Sequence, residues 1–356
     1  MEEYIAFDSH KRYTLAEREE VESGRAWQER IEHRPGAIRE YLRSCRPGGA
    51  VAVEALGSWY WIVQEIEQAG FGALLVHPRK AKLMMGMLNK TDKLDVHGFN
   101  RLQRNRTLPT VWIAPGRLRD LRELTRTRMV MARQRARLKN RLGSALAKYG
   151  LAVEDWSDPY GVGARPTLEA LLGRLPEQTA WTSRMLLEQL DFVQGQIVAH
   201  EQRLAACLEQ TPAMRLQRTV PGFGPILSSV VVLEMGDPGR FPDAEHFASY
   251  AGTTPRVHAS GDKRRYGKLR PDVNRYLKWA FVEAGNAIVR HHRSSPDRHV
   301  SRLYARLKLR KGGAKAVGAL ARHLAEATYH VQNGRQPYRD PALRRVRKEG
   351  LSASMP

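Results

Sequence analysis

The order of secondary-structure signals in the first 110 residues restricts the fold more than any other feature of this sequence. Three strand-like runs come first, followed by a helix, a strand, a helix, a strand and a helix. The predicted strands are residues 4–7, 11–17, 24–31, 50–54 and 71–76, and the helices between them are 35–43 and 59–69. Strands that alternate with helices form a mixed sheet covered by helices, so we expect an α/β domain over residues 1–112.

The remainder of the chain has a helical pattern. Residues 116–149 carry leucines at helical spacing with arginines and lysines between them, which predicts a long amphipathic helix with a basic exposed face. Apolar residues near heptad spacing predict a second helix at about 182–209, and the two are expected to form an antiparallel helical hairpin (coiled-coil) region over 113–210. We expect a mainly helical domain over 211–332 and a basic, poorly ordered tail over 333–356.

The charge balance indicates the kind of partner. The 356 residues include 59 Lys and Arg against 37 Asp and Glu, a formal net charge of +22. Such a surplus predicts binding to a polyanion, and nucleic acid is the commonest one. Cys45 and Cys207 are far apart and lack zinc spacing, so we expect reduced thiols in a cytoplasmic protein. The first residues do not resemble a signal peptide, and no apolar run reaches membrane-spanning length.

Four acids stand at positions typical of a metal site. Asp8 ends the first predicted strand, Glu54 ends another, and Asp92 and Asp95 lie three residues apart at the start of a predicted helix. Residues at this helical spacing face the same way, so the four carboxylates can converge. Adjacent carboxylates repel unless a cation lies among them, and oxygen ligands favour Mg²⁺ or Mn²⁺. Taken singly, Asp92 is also explained as a helix N-terminal acid and Asp8 as a turn acid.

A serine in a strongly basic segment is a second candidate site. Ser260 precedes Gly261, and cationic residues follow it: Lys263, Arg264, Arg265, Lys268 and Arg270. Cations at such a position hold a phosphate, and serine can attack phosphorus to give a covalent intermediate that conserves the bond energy. From these residues alone, a basic loop in which Ser-Gly simply makes a turn is the more economical interpretation.

A Gly-x-Gly sequence lies upstream of this serine. Gly222 and Gly224 come after Val220-Pro221 and before an apolar run over 226–233, as in a helix-hairpin-helix element. In that element the backbone N–H groups at a helix start bind a DNA phosphate without reading its sequence. A glycine-rich helix start that binds no ligand remains the alternative.

Taken in order, these segments resemble the DEDD insertion-sequence transposases (insertion sequence family one-hundred-ten), which include the Piv-type DNA invertases. The N-terminal motifs are Ile5-Ala-Phe-Asp8, Val53-Glu54-Ala55, Val76-His-Pro-Arg79 and Lys90-Thr-Asp-Lys-Leu-Asp95. The C-terminal motifs are Val220-Pro-Gly-Phe-Gly-Pro225, Leu233-Glu-Met-Gly236, Phe247-Ala-Ser-Tyr-Ala-Gly252, Pro255-Arg256, Ser260-Gly261 and Asn274-Arg-Tyr-Leu277. The agreement runs over most of residues 4–290, with small departures at Phe7 and at Thr253-Thr254.

The resemblance implies a RuvC-like, ribonuclease-H-like N-terminal domain and a C-terminal transposase domain. It implies that Asp8, Glu54, Asp92 and Asp95 are the catalytic, metal-binding acids and that Ser260 is the nucleophile. It also implies homo-oligomers, donor and target DNA as substrates, and a structured guide RNA encoded by the element. Residues expected to contact nucleic acid are Arg79, Lys90, Arg126, Arg133, Arg137, Gly222, Gly224, Arg256, Lys263, Arg264, Arg265, Lys268, Arg270, Asn274 and Arg275.

Two other functions fit the same residues. A hydrolytic nuclease, such as a junction resolvase, uses four acids and a metal-activated water and needs no serine. A non-enzymatic nucleic-acid-binding scaffold needs only the positive charge. The carboxylates and Ser260 discriminate among the three functions, because only a recombinase with a serine nucleophile depends on both.

Overall fold

The computed structural model describes residues 3–55, 57–86, 91–152, 156–261, 263–269 and 273–341. Contacts divide the chain into two units, Met1–Ala114 and Pro115–Pro356, which are described separately below. The first contains a mixed α/β sheet and the second is mainly helical, so the predicted succession of classes is confirmed. The finer division of the second unit at about residue 210 stays a prediction.

The first unit is a six-stranded sheet with helices on both faces. Its strands are β1 (Glu3–Ser9), β2 (Tyr13–Glu20), β3 (Ala26–Glu32), β4 (Ala50–Glu54), β5 (Gly72–Val76) and β6 (Thr110–Val111). Its helices are α1 (Ala37–Leu42), α2 (Trp59–Gln68), α3 (Pro78–Met85) and α4 (Asp92–Arg104). The order across the sheet is β3-β2-β1-β4-β5-β6, with β1, β4 and β5 parallel and the other neighbours antiparallel.

Alternating side chains of the central strands pack into two separate cores. Ile5 and Phe7 of β1 point to the face covered by α1 and α2, where they meet Ile38 and Ile62. Ala6, between them, points to the opposite face with Phe99 of α4. All three β1 residues are fully buried, which is why this strand reads as a continuous apolar run rather than as an alternating one.

The observed strands overlap the predicted ones, and the differences are a few residues at their ends. β4 has the predicted bounds, whereas β1 continues past Asp8 to Ser9, and β2 and β3 begin two residues later than predicted. The strand β6 has only two residues and was not predicted, since so short a strand has no readable period. The carboxyl ends of β1, β3 and β4 lie at one edge of the sheet, because these strands run in the same direction.

The second unit consists of nine helices and one β-hairpin among the residues described. The helices are α5 (Gly116–Ala147), α6 (Arg165–Leu172), α7 (Glu177–Leu208), α8 (Pro212–Gln217), α9 (Pro225–Met235), α10 (Ala244–Tyr250), α11 (Arg275–His291), α12 (His299–Lys311) and α13 (Gly313–Asn333). The hairpin strands are β7 (Pro255–Ser260) and β8 (Lys263–Leu269). None of the described helices is both long enough and apolar enough to cross a lipid bilayer.

The long helices α5 and α7 pack side by side. Arg128 of α5 pairs with Glu201 of α7 at 2.6 Å, and one to two turns further on Arg135 donates to Gln194 at 2.8 Å. In these contacts the residue number on α7 falls as the residue number on α5 rises, so the two helices run in opposite directions. Leucines of α5 at positions 138, 142 and 146 are buried between them, as their spacing predicts.

A separate core lies where α9, α10, α11 and α13 meet. Phe223, Phe247 and Phe281 form edge-to-face aromatic pairs there, with ring centroids 5.6 and 5.9 Å apart. Every residue of α9 from Ser228 to Met235 is buried or nearly so, because this apolar helix is surrounded by the others. Leu277, near the start of α11, is part of this core, so the core fixes the helix that follows the β7–β8 hairpin.

Candidate functional site

Two carboxylates and a histidine meet at the edge of the sheet in the first unit. Asp8, His10 and Asp92 each offer one ligand atom, and these atoms all lie within 4.8 Å of one another. The His10 Nε2 atom is 3.3 Å from Asp8 Oδ2 and 3.1 Å from Asp92 Oδ2. These three residues are called the Asp8 group below.

Three elements place these side chains together. Asp8 stands at the carboxyl end of β1, where its side chain is 6% exposed, and His10 follows at a spacing that puts both on one face of an extended chain. Asp92 is the first residue of α4, where Thr91 caps the helix by accepting a hydrogen bond from the Leu94 N–H. The positive end of the helix favours a carboxylate at this position.

The imidazole of His10 is the most informative member of the group. Its Nε2 atom is buried, and no described residue offers it a hydrogen bond of acceptable alignment, although two carboxylate oxygens lie within 3.3 Å. A buried nitrogen without an aligned partner is costly in an apoprotein. A nitrogen and two oxygens that converge without hydrogen-bonding one another are suited to holding a cation.

Tyr13 borders this group and orients Asp92. Its hydroxyl donates to Asp92 Oδ2 at 3.1 Å, and the Arg30 guanidinium lies over its ring at 3.9 Å from the centroid. Desolvation raises the pKa of Tyr13, and the hydrogen bond to the Asp92 carboxylate raises it further. The phenol therefore keeps its proton, and its hydrogen bond to Asp92, to a higher pH than an ordinary tyrosine.

The other two predicted acids lie outside the Asp8 group. Phe7 pairs with Val53 across the parallel strands, so Glu54 follows at the position on β4 next to Asp8 on β1. Asp95 lies one helical turn after Asp92 in α4. The groups that meet within ligand distance are thus Asp8 and Asp92 with His10, and the set of four acids stays a prediction. Sequence reasoning missed His10, although the Asp8-x-His10 spacing was a readable signal.

The predicted basic loop around Ser260 is instead a β-hairpin. Its strands β7 and β8 are joined by a tight turn in which Gly261 adopts a positive φ of 55°, and Ser260 pairs with Lys263. His258 pairs with Arg265, so the register puts the four side chains Ser260, Lys263, His258 and Arg265 on one face. All four are exposed, as are Val257 and Tyr266 among the described side chains of the other face, and the sequence lacks the apolar alternation that identifies most strands.

The Gly-x-Gly segment connects α8 to α9, and its two glycines have different roles. Gly222 has a φ of 83°, and a Cβ atom there would lie 2.5 Å from the Ala284 carbonyl oxygen of α11. A close approach between two backbones therefore explains Gly222 without any ligand. Gly224 is the N-cap of α9, and a Cβ atom at that position would meet nothing within 4 Å.

Asn274 makes its hydrogen bonds within the protein, and its contact with nucleic acid stays a prediction. Its Oδ1 atom accepts from the N–H groups of Tyr276 and Leu277, which caps α11. Its Nδ2 atom donates to Glu234 Oε2 at 2.8 Å. The amide oxygen thus supplies the cap that a helix start needs, and the amide nitrogen binds the buried carboxylate.

Arg126 is likewise paired within the protein, and its contact with nucleic acid also stays a prediction. Its guanidinium forms two hydrogen bonds to the fully buried Glu234 carboxylate, at 2.8 and 3.1 Å, and lies over the Tyr276 ring. Arg122, one turn earlier, is 6% exposed and donates to the backbone carbonyls of Leu233 and Glu234. Burial lowers the pKa of Arg122, and the charge of Glu234 opposes that shift. These arginines tie α5 to α9 because a buried carboxylate needs charged partners.

Replacing Glu234 with glutamine is expected to destabilise the second unit by about 3 kcal/mol or more, because the buried Arg122 and the partly buried Arg126 lose their counter-charge. The urea midpoint of the full chain measures the change. The matched control is Glu201→Gln, whose half-exposed pair with Arg128 is worth less than about 1 kcal/mol. Equal midpoints for the two variants would contradict the structural importance of the Glu234 network.

The remaining predicted contact residues lie mostly on the surface. Side chains that are exposed are Arg79, Arg133, Arg137, Arg256, Lys263, Arg265, Lys268 and Arg275. The Arg275 guanidinium lies over the Tyr276 ring and donates a hydrogen bond to the Tyr276 hydroxyl. Lys90, Arg270 and the Arg264 side chain lie outside the residues that the structure describes.

Two family models match separate parts of the chain, and the first of them extends beyond the first unit into α5. Residues 16–150 match the model DEDD_Tnp_IS110, described as "Transposase", and residues 214–300 match "Transposase IS116/IS110/IS902 family". Together they cover more than half of the sequence, and both are transposase models. The chain belongs to the IS110-type DEDD transposases, which confirms the resemblance found in its motifs.

Full-length relatives agree with this assignment. A "Probable family 20 transposase" of Pseudomonas aeruginosa is 25% identical over 306 residues, which cover 85% of this chain and 89% of the relative. "Putative transposase y4pF/y4sB" of Sinorhizobium fredii is 26% identical and covers 82% and 75%. The "Transposase for insertion sequence element IS1111A" of Coxiella burnetii is 24% identical and covers 82% and 79%.

Proposed function

We propose that this transposase is a recombinase that cuts and rejoins DNA strands with an acidic metal site in a RuvC-like, ribonuclease-H-like domain and with Ser260 as the nucleophile. One observation carries the proposal: Asp8 and Asp92, far apart in the chain, converge with the partly exposed His10 at the carboxyl edge of a sheet ordered β3-β2-β1-β4-β5-β6. Parallel strands that end at one edge are a common place for catalytic groups.

The residues present fit a divalent cation. Asp8 and Asp92 supply hard oxygen ligands, and His10 Nε2 supplies a nitrogen that lacks an aligned hydrogen-bond partner among the described residues. Glu54, next to Asp8, and Asp95, one turn after Asp92, are the further acids of the proposed set. Oxygen ligands suit Mg²⁺ and Mn²⁺, and a nitrogen ligand shifts the preference towards Mn²⁺. Such an ion, when bound, neutralises charge that develops on the phosphate.

Added Mn²⁺ is expected to stabilise the wild-type protein against heat, because an ion bound only by the folded state stabilises it by about 2.7 kcal/mol at 100 times its dissociation constant. The variants Asp8→Asn and His10→Ala are expected to lose most of this increase. Differential scanning calorimetry of the full chain with and without the ion measures it.

The control for the ion is Glu29→Gln, which removes an exposed carboxylate from the same unit and is expected to keep the full increase. The metal assignment is wrong if His10→Ala and the wild type gain equal stability from Mn²⁺. This readout does not depend on catalytic activity.

The hairpin that carries Ser260 is suited to holding a scissile phosphate. Lys263 and Arg265 share its face, so two cations are available to a phosphate that approaches the serine hydroxyl. In the proposed step the Oγ atom bonds to phosphorus and loses its proton, while one bridging P–O bond breaks and its oxygen leaves as a hydroxyl. The resulting phosphoserine ester conserves the bond for rejoining by the reverse reaction.

The exposed cations of the second unit are proposed to hold nucleic acid. Arg133 and Arg137 lie on the exposed side of α5, and neither has a charged partner among the residues described. The α5–α7 pair is thus the proposed basic hairpin, and Gly224 at the open N-cap of α9 is the proposed phosphate contact of the helix-hairpin-helix-like turn. Homo-oligomers and an element-encoded guide RNA complete the proposal, as the family resemblance implies.

The double variant Arg133→Gln, Arg137→Gln is expected to lower the slope of log affinity against log salt by about two, because each phosphate contact contributes about one to that slope. Fluorescence anisotropy with labelled duplex DNA across a salt series measures it. The control Arg322→Gln removes an arginine paired with Glu326 and is expected to leave the slope unchanged. An unaltered slope in the double variant excludes these two contacts.

The proposed function is tested as a whole by incubating the purified protein with DNA that carries the element ends and with RNA transcribed from the flanking sequence. We expect joined products only when a divalent ion and the RNA are both present. Joining without the RNA would retain the recombinase but exclude guidance by RNA. Cleavage that yields no joined strand under any condition would favour the hydrolytic nuclease.

A further inference from the structure

Helix α12, near the end of the second unit, carries positive charge and no negative charge. Its last two turns contain four cations, which are Arg306, Lys308, Arg310 and Lys311. All four side chains are exposed, and none forms an ion pair with a residue that the structure describes. The surrounding segment 298–325 contains no Asp or Glu, so these charges remain available to an anionic partner. Arg126 differs, because Glu234 already binds it.

The opposite face of α12 fixes the helix to the core of the second unit. Val300 and Tyr304 are buried in that core, and Leu303 and Leu307 pack against it. The Tyr304 ring meets the ring of His292, the residue that ends α11, edge to face with centroids 5.0 Å apart. Because packing holds this face, the direction in which the cations on the other face project is fixed as well.

The exposed face of α12 has an apolar centre. Leu309 is 90% exposed, and Ala305, one turn earlier, is exposed beside it. At 3.6 residues per turn, Lys308 and Arg310 project about 100° to either side of Leu309. Cations in the last turn also stabilise the helix dipole, which accounts for part of the charge but not for an exposed leucine between two cations.

Duplex DNA matches this arrangement. The major groove of B-DNA is about 12 Å wide and accepts one α-helix, whose flanks then face the two phosphate strands. Lys308 and Arg310 would each meet one phosphate strand, and Leu309 would meet the base edges, where thymine methyl groups are apolar. The major groove of duplex RNA is too deep and narrow for side chains to read, and a protein interface would need a wider apolar patch than one leucine.

The position of α12 relative to Ser260 indicates which part of the DNA it would hold. Helix α11 begins just after the β7–β8 hairpin that carries Ser260, and it ends beside Tyr304. Its 17 residues span about 25 Å, at 1.5 Å per residue. Helix α12 therefore lies at the far end of α11 from the hairpin, and it would contact the duplex beside the cut rather than the cut itself.

We propose that α12 binds in the major groove of the duplex that flanks the cut, with Lys308 and Arg310 on the phosphates and Leu309 on the base edges. The inference rests on the proposed function, since it presumes that DNA is cut at the hairpin. It adds a binding site that the motifs did not indicate, because the family match ends at residue 300, before any of these side chains.

The double variant Lys308→Gln, Arg310→Gln is expected to lower the slope of log affinity against log salt by about two on duplex DNA, one for each phosphate contact. On duplex RNA of the same sequence the slope is expected to stay unchanged. Fluorescence anisotropy with labelled duplexes measures both slopes, in EDTA so that no strand is cut. Arg322→Gln, which removes an arginine paired with Glu326 on α13, is the control and should leave both slopes unchanged.

The groove is tested with Leu309→Cys and two duplexes that each carry a thiol tether as a mixed disulfide. One duplex has the tether on N4 of cytosine, in the major groove, and the other on N2 of guanine, in the minor groove. The cysteine is expected to exchange about tenfold faster with the major-groove tether, since exchange requires access of the thiol to the disulfide. Val162→Cys, at a similarly exposed position of the second unit, should show no such preference. The wild type, with Cys45 and Cys207, gives the background.

Three results would overturn the proposal: an unchanged slope of the double variant on DNA, an equal fall of its slopes on DNA and RNA, or equal exchange of Leu309→Cys with the two tethers. A urea midpoint of the double variant equal to that of the wild type shows that a lower slope does not come from unfolding. The exchange test keeps both cations, so it decides the case independently of their removal.

Failure of this inference is distinguishable from failure of the proposed function. Asp8→Asn is expected to lose cleavage but to show the same fall in slope when the two cations are removed, because binding in EDTA does not use the carboxylates. A protein that joins DNA normally but keeps its slope without Lys308 and Arg310 retains the proposed function and refutes the site on α12. One that shows the α12 contact but never cuts DNA supports only the contact.

Discussion

Replacing Asp8 with asparagine is expected to reduce DNA cleavage by at least about a thousandfold, a loss of about 4 kcal/mol of transition-state stabilisation. The substitution keeps the shape of a side chain that is 6% exposed, and it removes one of the two carboxylates that converge on His10. Cleavage of a labelled substrate in Mn²⁺ or Mg²⁺, followed on denaturing gels, measures the rate. Asp92→Asn is expected to behave in the same way.

DNA affinity separates this effect from a general loss of function. Binding by Asp8→Asn is expected to be at least as tight as that of the wild type, because a negative charge near the phosphates has been removed. Glu29→Gln makes the same charge change at an exposed position of β3 and should cut normally. Normal cleavage by Asp8→Asn would reject the acidic site and leave a DNA-binding protein whose chemistry lies elsewhere.

Replacing Ser260 with alanine is expected to abolish both the covalent protein–DNA adduct and strand rejoining, with a loss of at least about a thousandfold in joined product. The hydroxyl is the atom proposed to bond to phosphorus, and it is exposed at the tip of the hairpin beside Lys263. Denaturing gel electrophoresis of protein incubated with end-labelled DNA detects the adduct. The fold should be unaffected, since the side chain makes no hydrogen bond to the described part of the chain.

Ser294→Ala is the control for the serine, because it removes an exposed hydroxyl of the same unit that only caps a carbonyl at the end of α11. It should form adduct and joined product at wild-type levels. If Ser260→Ala still cuts DNA but releases free ends, water is the nucleophile and the protein is a hydrolytic nuclease. If it still recombines DNA, the serine mechanism is wrong while the acidic site stands.

The elements with a strong local pattern were readable from the sequence. The strand over residues 50–54 has its predicted bounds, and α5 and α7 lie within a few residues of theirs, because burial on one side imposes a period on the apolar positions. The β7–β8 hairpin was not predicted, since its described side chains are almost all exposed and no period is imposed on them. Pairing between the two strands, rather than burial, defines that element.

Some side chains of the basic segments pair with groups inside the protein, which the sequence does not show. Arg126 belongs to a run of basic residues on α5, and nothing in that run distinguishes it from Arg133. The difference is Glu234, a buried carboxylate on α9 that draws Arg126 inward and uses the amide of Asn274 as well. A residue's partner in another helix is absent from its local sequence, so charge patterns alone overestimate the binding surface.

The sequence by itself determined the class of the protein, the positions of its central strands and long helices, and the acids and serine at which chemistry was expected. These are properties of local period, composition and motif. Only the tertiary structure decided which groups meet: Asp92 contacts Tyr13, 79 residues away, and His10 lies between the Asp8 and Asp92 carboxylates. The reason is that such contacts depend on strand order and helix placement, which bring together residues that no short window of sequence contains.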